Sequence, residues 1–191
     1  MHRGRLEAFS DGVLAIIITI MVLDLRPPHS IELGSLKAVL PNLISYALSF
    51  IYIGIYWNNH HHLFQVVKEV NGKILLANLN LLFWLSLTPF ATAWLGQVGL
   101  QAWPVALYGS VLLLSAVAYT ILTIALIAHH GKDSALAKAI GSDKKGKVSM
   151  ALYALGIVLA FVAPWVSYGL YFVVAVIWII PDQRIEKVLS K

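Results

Sequence analysis

The 191-residue chain contains no cysteine, so disulfides, thiolate metal sites and cysteine nucleophiles are excluded, and nothing marks its redox compartment. Charge is scarce as well: Asp, Glu, Lys and Arg make up 12% of the residues, against about 25% in soluble domains. With 59% hydrophobic residues and a mean hydropathy of +0.79, this scarcity excludes an ordinary soluble domain and implies an integral membrane protein in a lipid bilayer. No internal repeat is found; the fourth apolar run does not echo the first. The net charge of +5 carries no nucleic-acid signal, because the basic residues are scattered among the loops. A cleavable leader is not expected either. The first apolar run is full length and is followed by Asp24-Leu25-Arg26-Pro27-Pro28 rather than a small-residue cleavage site.

What is present is organised around Arg5 to Leu25, where a polar knot of Arg5, Glu7, Ser10 and Asp11 runs into an uncharged aliphatic helix. From Arg5 to Asp24, at about 1.5 Å per residue, such a helix spans roughly 30 Å, the thickness of a hydrocarbon core. Asp11 then lies below the membrane surface, where an ionised carboxylate costs at least about 3 kcal/mol unless it meets a donor, a cation or water. It must face protein or a cavity. At about 100° per residue, Ile16, Ile20 and Leu23 form one stripe, continued by Gly12 and Phe9, with Asp11 roughly 140° away from Ile16. By geometry alone the stripe has two readings, a core face packed on other spans or the lining of a pathway. Thr19 lies about 60° off the Ile16 direction, and its hydroxyl can bond back to the Ala15 carbonyl.

Six spans are expected, at about 5–25, 36–64, 74–95, 103–128, 148–164 and 168–181, in one all-α domain covering 1–191. Pro41 is tolerated in the first turns of the second, Pro89 is expected to kink the third, and Trp103-Pro104 opens the fourth. A long loop, 129–147, precedes the fifth; Trp165 to Gly169 reads as a hairpin, and the polar tail after Pro181 as a helix. Of the 14 Lys and Arg, only Arg26 and Lys37 fall on the side opposite the N-terminus, which places both termini in the cytoplasm. Trp94, Trp103 and Trp165 then gather near the outer interface.

The second chemical feature is Trp57-Asn58-Asn59-His60-His61-His62-Leu63-Phe64. Three consecutive histidines suggest a metal, but helical neighbours point about 100° apart, whereas tetrahedral sites use i, i+3 or i, i+4 spacing. No metal or cofactor is expected; one histidine turns inward, and His60 shares a face with Trp57 and Phe64. A Ser-His-Asp hydrolase is disfavoured because Ser10 and Asp11 are adjacent and point apart. No enzymatic activity is expected. Charges are absent from mid-span, which argues against proton-coupled transport.

The pattern R-x-x-x-F-S-D at Arg5, Phe9, Ser10 and Asp11, followed by I-I-x-T-x-M-x-L from Ile16 to Leu23, resembles the first helix of the transmembrane protein 175 family of endolysosomal potassium channels and its prokaryotic relatives. W-x-x-H-x-x-L-F at Trp57, His60, Leu63 and Phe64, and Asn78-Leu79 with Pro89, resemble the same family. The resemblance covers roughly the first half of the chain. It implies a six-helix subunit in a homotetramer of a prokaryotic cell membrane, with potassium as the permeant ion and the first helix of each subunit lining the pore. There is no T-V-G-Y-G segment to supply a filter of carbonyls. The resemblance instead makes Ile16, Ile20 and Leu23, with Thr19 beside them, an aliphatic constriction selecting potassium over sodium. Arg5, Phe9, Ser10, Asp11, Trp57 and His60 become a structural polar network at the cytoplasmic end. A secondary transporter and a non-conducting membrane scaffold remain the alternative classes.

Overall fold

In hydrocarbon a spanning segment must satisfy its own backbone N–H and C=O groups, which drives long apolar runs into helices. In the computed structural model the described residues, 3–28, 33–67, 69–131, 133–141 and 143–179, are accordingly helical almost throughout. In chain order they form α1 (Arg3–Leu23), a short 3-10 turn (Leu33–Ser35), α2 (Leu36–Gln65), α3 (Gly72–Ser86), α4 (Thr88–Val98), α5 (Ala102–His130), α6 (Ala135–Ile140), α7 (Lys144–Leu159) and α8 (Pro164–Ile179).

Among the described residues four stretches are long and apolar enough to cross a membrane: α1, α2, α3 with α4 (Gly72–Val98), and α5. The shorter α8 is also apolar. At the expected kink the helix is interrupted at the single residue Leu87: proline has no N–H to offer the Leu85 carbonyl, and α4 resumes at Thr88 with Pro89 in its first turn.

The end of the chain differs from expectation. The turn between the last two helices falls at 160–163, not at Trp165 to Gly169, because Pro164 opens α8 instead of closing α7. The fifth helix starts earlier than Val148, at Lys144, and the preceding loop holds α6, capped by the Ser134 hydroxyl accepting from Ala137 N at 3.2 Å. The tail after Pro181, with Lys68, Lys132, Arg184, Lys187 and Lys191, lies outside the described residues.

Two apolar clusters stack along the bundle. One joins α1 to the C-terminal half of α2, α3 and the far half of α5 around Ile53, Phe64, Ile74 and Leu122. The other joins the first half of α5 to α2, α4, α7 and α8 around Tyr52, Tyr108 and Tyr171. Close approach in the second depends on glycine: the Tyr171 ring lies against both Gly109 and Gly156, where any Cβ would collide with it. Its hydrogen bonds close there too, with Tyr52 OH donating to the Tyr171 carbonyl, and Ser49 Oγ 2.7 Å from Thr92 Oγ1 and 2.9 Å from Tyr108 OH.

Candidate ion pathway and its supporting polar cluster

α1 has two faces of opposite fate. Leu6, Ser10, Leu14, Ile17 and Met21 are buried against the protomer, following the 3.6-residue period. On the other side Phe9, Ile16, Ile20 and Leu23 are 56%, 58%, 46% and 81% exposed, and Gly12 and Thr19 are exposed with them. Among the described residues the stripe of Ile16, Ile20 and Leu23 is therefore not covered, which argues against the reading of an internal core face. Thr19 Oγ1 donates back to the Ile16 carbonyl at 2.9 Å, one residue further along than the expected Ala15. Its lone pairs are left on the exposed side.

The buried face carries a polar cluster. Ser10 Oγ donates to the Leu6 carbonyl at 2.9 Å and accepts from Asn78 Nδ2 at 2.9 Å. Asn78 Oδ1 lies 2.8 Å from His60 Nε2, and an amide oxygen can only accept, so that ring nitrogen carries the proton. His60 also packs on the Phe64 ring, with centroids 4.6 Å apart. All three polar side chains are buried, so the bonds join α1, α2 and α3 through one amide.

Asp11 stands apart from this cluster, exposed, with Oδ1 accepting from Trp57 Nε1 at 3.1 Å. Trp57 is not on the buried side with His60: it is 48% exposed and stacks on His61, with ring centroids 6.2 Å apart. Arg5 is a correction. It is exposed, and among the described residues it makes no ion pair; the helical period places it on the same side as Ile16 and not beside Ser10. The anchoring arginine is Arg3, whose terminal nitrogen donates to the carbonyls of Phe64, Gln65 and Val67 at 2.7, 2.8 and 2.7 Å. These carbonyls lie at and just beyond the C-terminal end of α2, where a cation is favoured. Glu7 steadies Arg3 at 3.8 Å.

The three histidines part company. His60 binds Asn78, His61 Nε2 meets Gln65 Nε2 at 2.9 Å, and His62 Nδ1 lies 3.4 Å from Gln65 Oε1. Ser10, His60 and Asp11 form no relay, since Asn78 separates the first two and Asp11 turns to Trp57. Arg3 gave no signal in the sequence; Asn78 stood out there as part of the family resemblance, but not as a member of this cluster.

The model of the family described as endosomal/lysosomal potassium channel TMEM175 matches residues 5–89. A potassium channel of Chryseobacterium sp. (strain P1-3) is 56% identical over 191 residues, covering 100% of both chains. The human endosomal/lysosomal proton channel TMEM175 is 36% identical over 96 residues, 44% of this chain and 19% of its own length. Among solved structures, the crystal structure of a lysosomal potassium-selective channel TMEM175 homolog from Chamaesiphon minutus superposes with a TM-score of 0.82 at 30% identity, covering 94% of this chain and 97% of that one.

Proposed function

The chain belongs to the TMEM175 potassium channel family, and on that premise we propose that it conducts potassium passively across the cell membrane through a constriction built by α1 of four subunits. The observation that carries this reading is the bare stripe on α1: three large aliphatic side chains on a helix whose opposite face is buried. Lipid is a poor partner for that half of the helix, because Arg5 and Asp11 are exposed along with the stripe. Four copies around an axis give both groups protein or water and turn Ile16, Ile20 and Leu23 inward. In this arrangement α7 and α8 complete six spans, and both termini lie in the cytoplasm.

An aliphatic ring offers no ligands, so an ion crosses largely hydrated, and the barrier follows the cost of stripping water. Potassium holds its water less tightly than sodium and gains modestly. Asp24 follows the stripe directly and shares a shallow cleft with Arg26, Asn42 and Gln97, a polar mouth at the outer end. The polar cluster of Ser10, Asn78 and His60 fixes the angle of α1, as a fully satisfied buried network does.

The test is ion flux from purified protein in liposomes, with potassium, sodium and a pH-sensitive dye as separate arms. Potassium moving down either gradient without coupled proton movement is the expected result. Strict coupling to a second ion would make the protein a transporter; no flux would make it a scaffold. The vertebrate relatives' designation as proton channels favours proton conduction as the second reading, which the dye arm reads directly.

A further inference from the structure

A cavity between α2, α5, α7 and α8 takes no part in the pathway proposed above, and its walls differ from the rest of the bundle. It is partly open, with a volume of about 50 Å³. Five aromatic rings surround it, those of Tyr52, Tyr56, Tyr119, Tyr153 and Trp178, and one carboxylate, Asp143, lies among them. No Lys, Arg or His is part of the lining among the described residues. Asp143 is held in place as the cap of α7. Its backbone is left-handed at φ 39°, and Oδ1 accepts from Gly146 N at 3.2 Å.

The wall chemistry selects the sign of the occupant. Ring faces carry negative potential and the carboxylate a full charge, so an anion is repelled and a cation attracted by both. Trp178 already displays this preference, with Lys145 Nζ 4.6 Å from its ring centroid and its own N–H donating to Ser149 Oγ at 2.8 Å. Hydroxyl oxygens complete the lining: Thr120 donates to the Ala116 carbonyl at 2.9 Å and keeps its lone pairs, and Tyr56 adds a phenol. An ammonium needs such acceptors for each of its three N–H groups. The acceptors select the class: a primary ammonium can use them with its N–H groups, whereas a trimethylammonium group has no N–H to offer.

We propose that this cavity binds a primary ammonium group, with Asp143 as its counter-ion and the aromatic rings as its walls. Two sources carry that chemistry, a free short-chain amine and the ethanolamine headgroup of a phospholipid.

The test uses the purified full-length assembly in detergent, with methylammonium chloride titrated at constant ionic strength and tetramethylammonium and potassium chlorides as controls. Wild type is expected to show a saturable rise in melting temperature with methylammonium alone. Asp143→Asn keeps the cap, because asparagine accepts the same N–H and tolerates a left-handed backbone, and is expected to lose about tenfold in apparent affinity. Tyr119→Leu, which removes a wall and leaves the carboxylate, is expected to weaken binding in the same direction and stands in if the first variant does not fold. Mixed micelles carrying phosphatidylethanolamine or phosphatidylcholine separate the sources. Stabilisation by the former alone, lost in Asp143→Asn, assigns the headgroup; stabilisation by methylammonium alone assigns the free amine. No saturable rise from either source in wild type, an equal rise with tetramethylammonium, or an unchanged response in Asp143→Asn would overturn the proposal and leave a water-filled space.

Discussion

Replacing Asn78 by leucine tests whether the cluster under α1 holds it by hydrogen bonding or by shape. Asn78, His60 and Ser10 are 2%, 2% and 0% exposed, so none can turn to water when a partner disappears. Leucine leaves the His60 N–H without an acceptor, while the Ser10 hydroxyl keeps its bond to the Leu6 carbonyl and loses only what it accepted. An orphaned buried donor costs about 1–3 kcal/mol, so the single change is expected to destabilise by about that much. His60→Leu alone is expected to cost a similar amount, because it orphans the Asn78 oxygen. The double variant removes both partners, and apolar groups of similar shape in such a pair come close to neutral. The two changes should therefore be strongly non-additive, with a coupling energy approaching the sum of the two single costs, about 2–6 kcal/mol, read from chemical denaturation in detergent. Costs that add to within about 0.5 kcal/mol would refute the reasoning and make the cluster three independent packing residues.

The two isoleucines next to each other on α1 should behave in opposite ways. Ile16→Asn, on the exposed stripe, is expected to preserve assembly while lowering potassium over sodium selectivity in bi-ionic reversal potentials; Ile17→Asn, at 3% exposure, is expected to lose about 2–4 kcal/mol and much of the folded protein with selectivity untouched. An unchanged reversal potential in a conducting Ile16→Asn channel would move the constriction to Ile20 or Leu23. Gly109→Leu and Gly156→Leu each drive a side chain into the Tyr171 ring and should lower the melting temperature, whereas Gly54→Ala, which meets nothing within 4 Å in the protomer, should be silent. In this cysteine-free chain, Gln97→Cys is expected to react with an impermeant thiol reagent added to intact cells and Ser142→Cys to be shielded; the reverse pattern would invert the proposed orientation.

The aliphatic stripe was legible in the sequence because a helical period acts on every residue alike, and large apolar side chains repeated on one side leave few alternatives. The same period would have placed Arg5 correctly. It lies eleven residues before Ile16, about 20° off its direction, and about 140° from Ser10, with which its chemistry alone had grouped it. Arg3 was illegible for a different reason: its three acceptors are backbone carbonyls more than sixty residues away, and carbonyls leave no trace in composition. The shift of the last turn to 160–163 came from reading Pro164 as a stop, although a proline missing its N–H serves equally as a start. The Tyr171 contact with two glycines depends on three helices meeting at one height, which no single-helix pattern encodes.

Among the described residues α1 packs chiefly on α2, α3 and α4, while α7 and α8 pack chiefly on α5, on α2 and on each other. A substitution in the rear helices is thus felt by α1 chiefly after it has passed through a wall of other side chains, and the wall absorbs changes of shape that a direct neighbour would transmit. The family model ends at residue 89, inside α4 and just past the break in the third span. Beyond it α4 still reaches α1, through the Thr92 hydroxyl on the Met21 sulfur. A change of shape in α7 or α8 is therefore expected to show first in the melting temperature of the subunit and only weakly in the spacing of the stripe on α1.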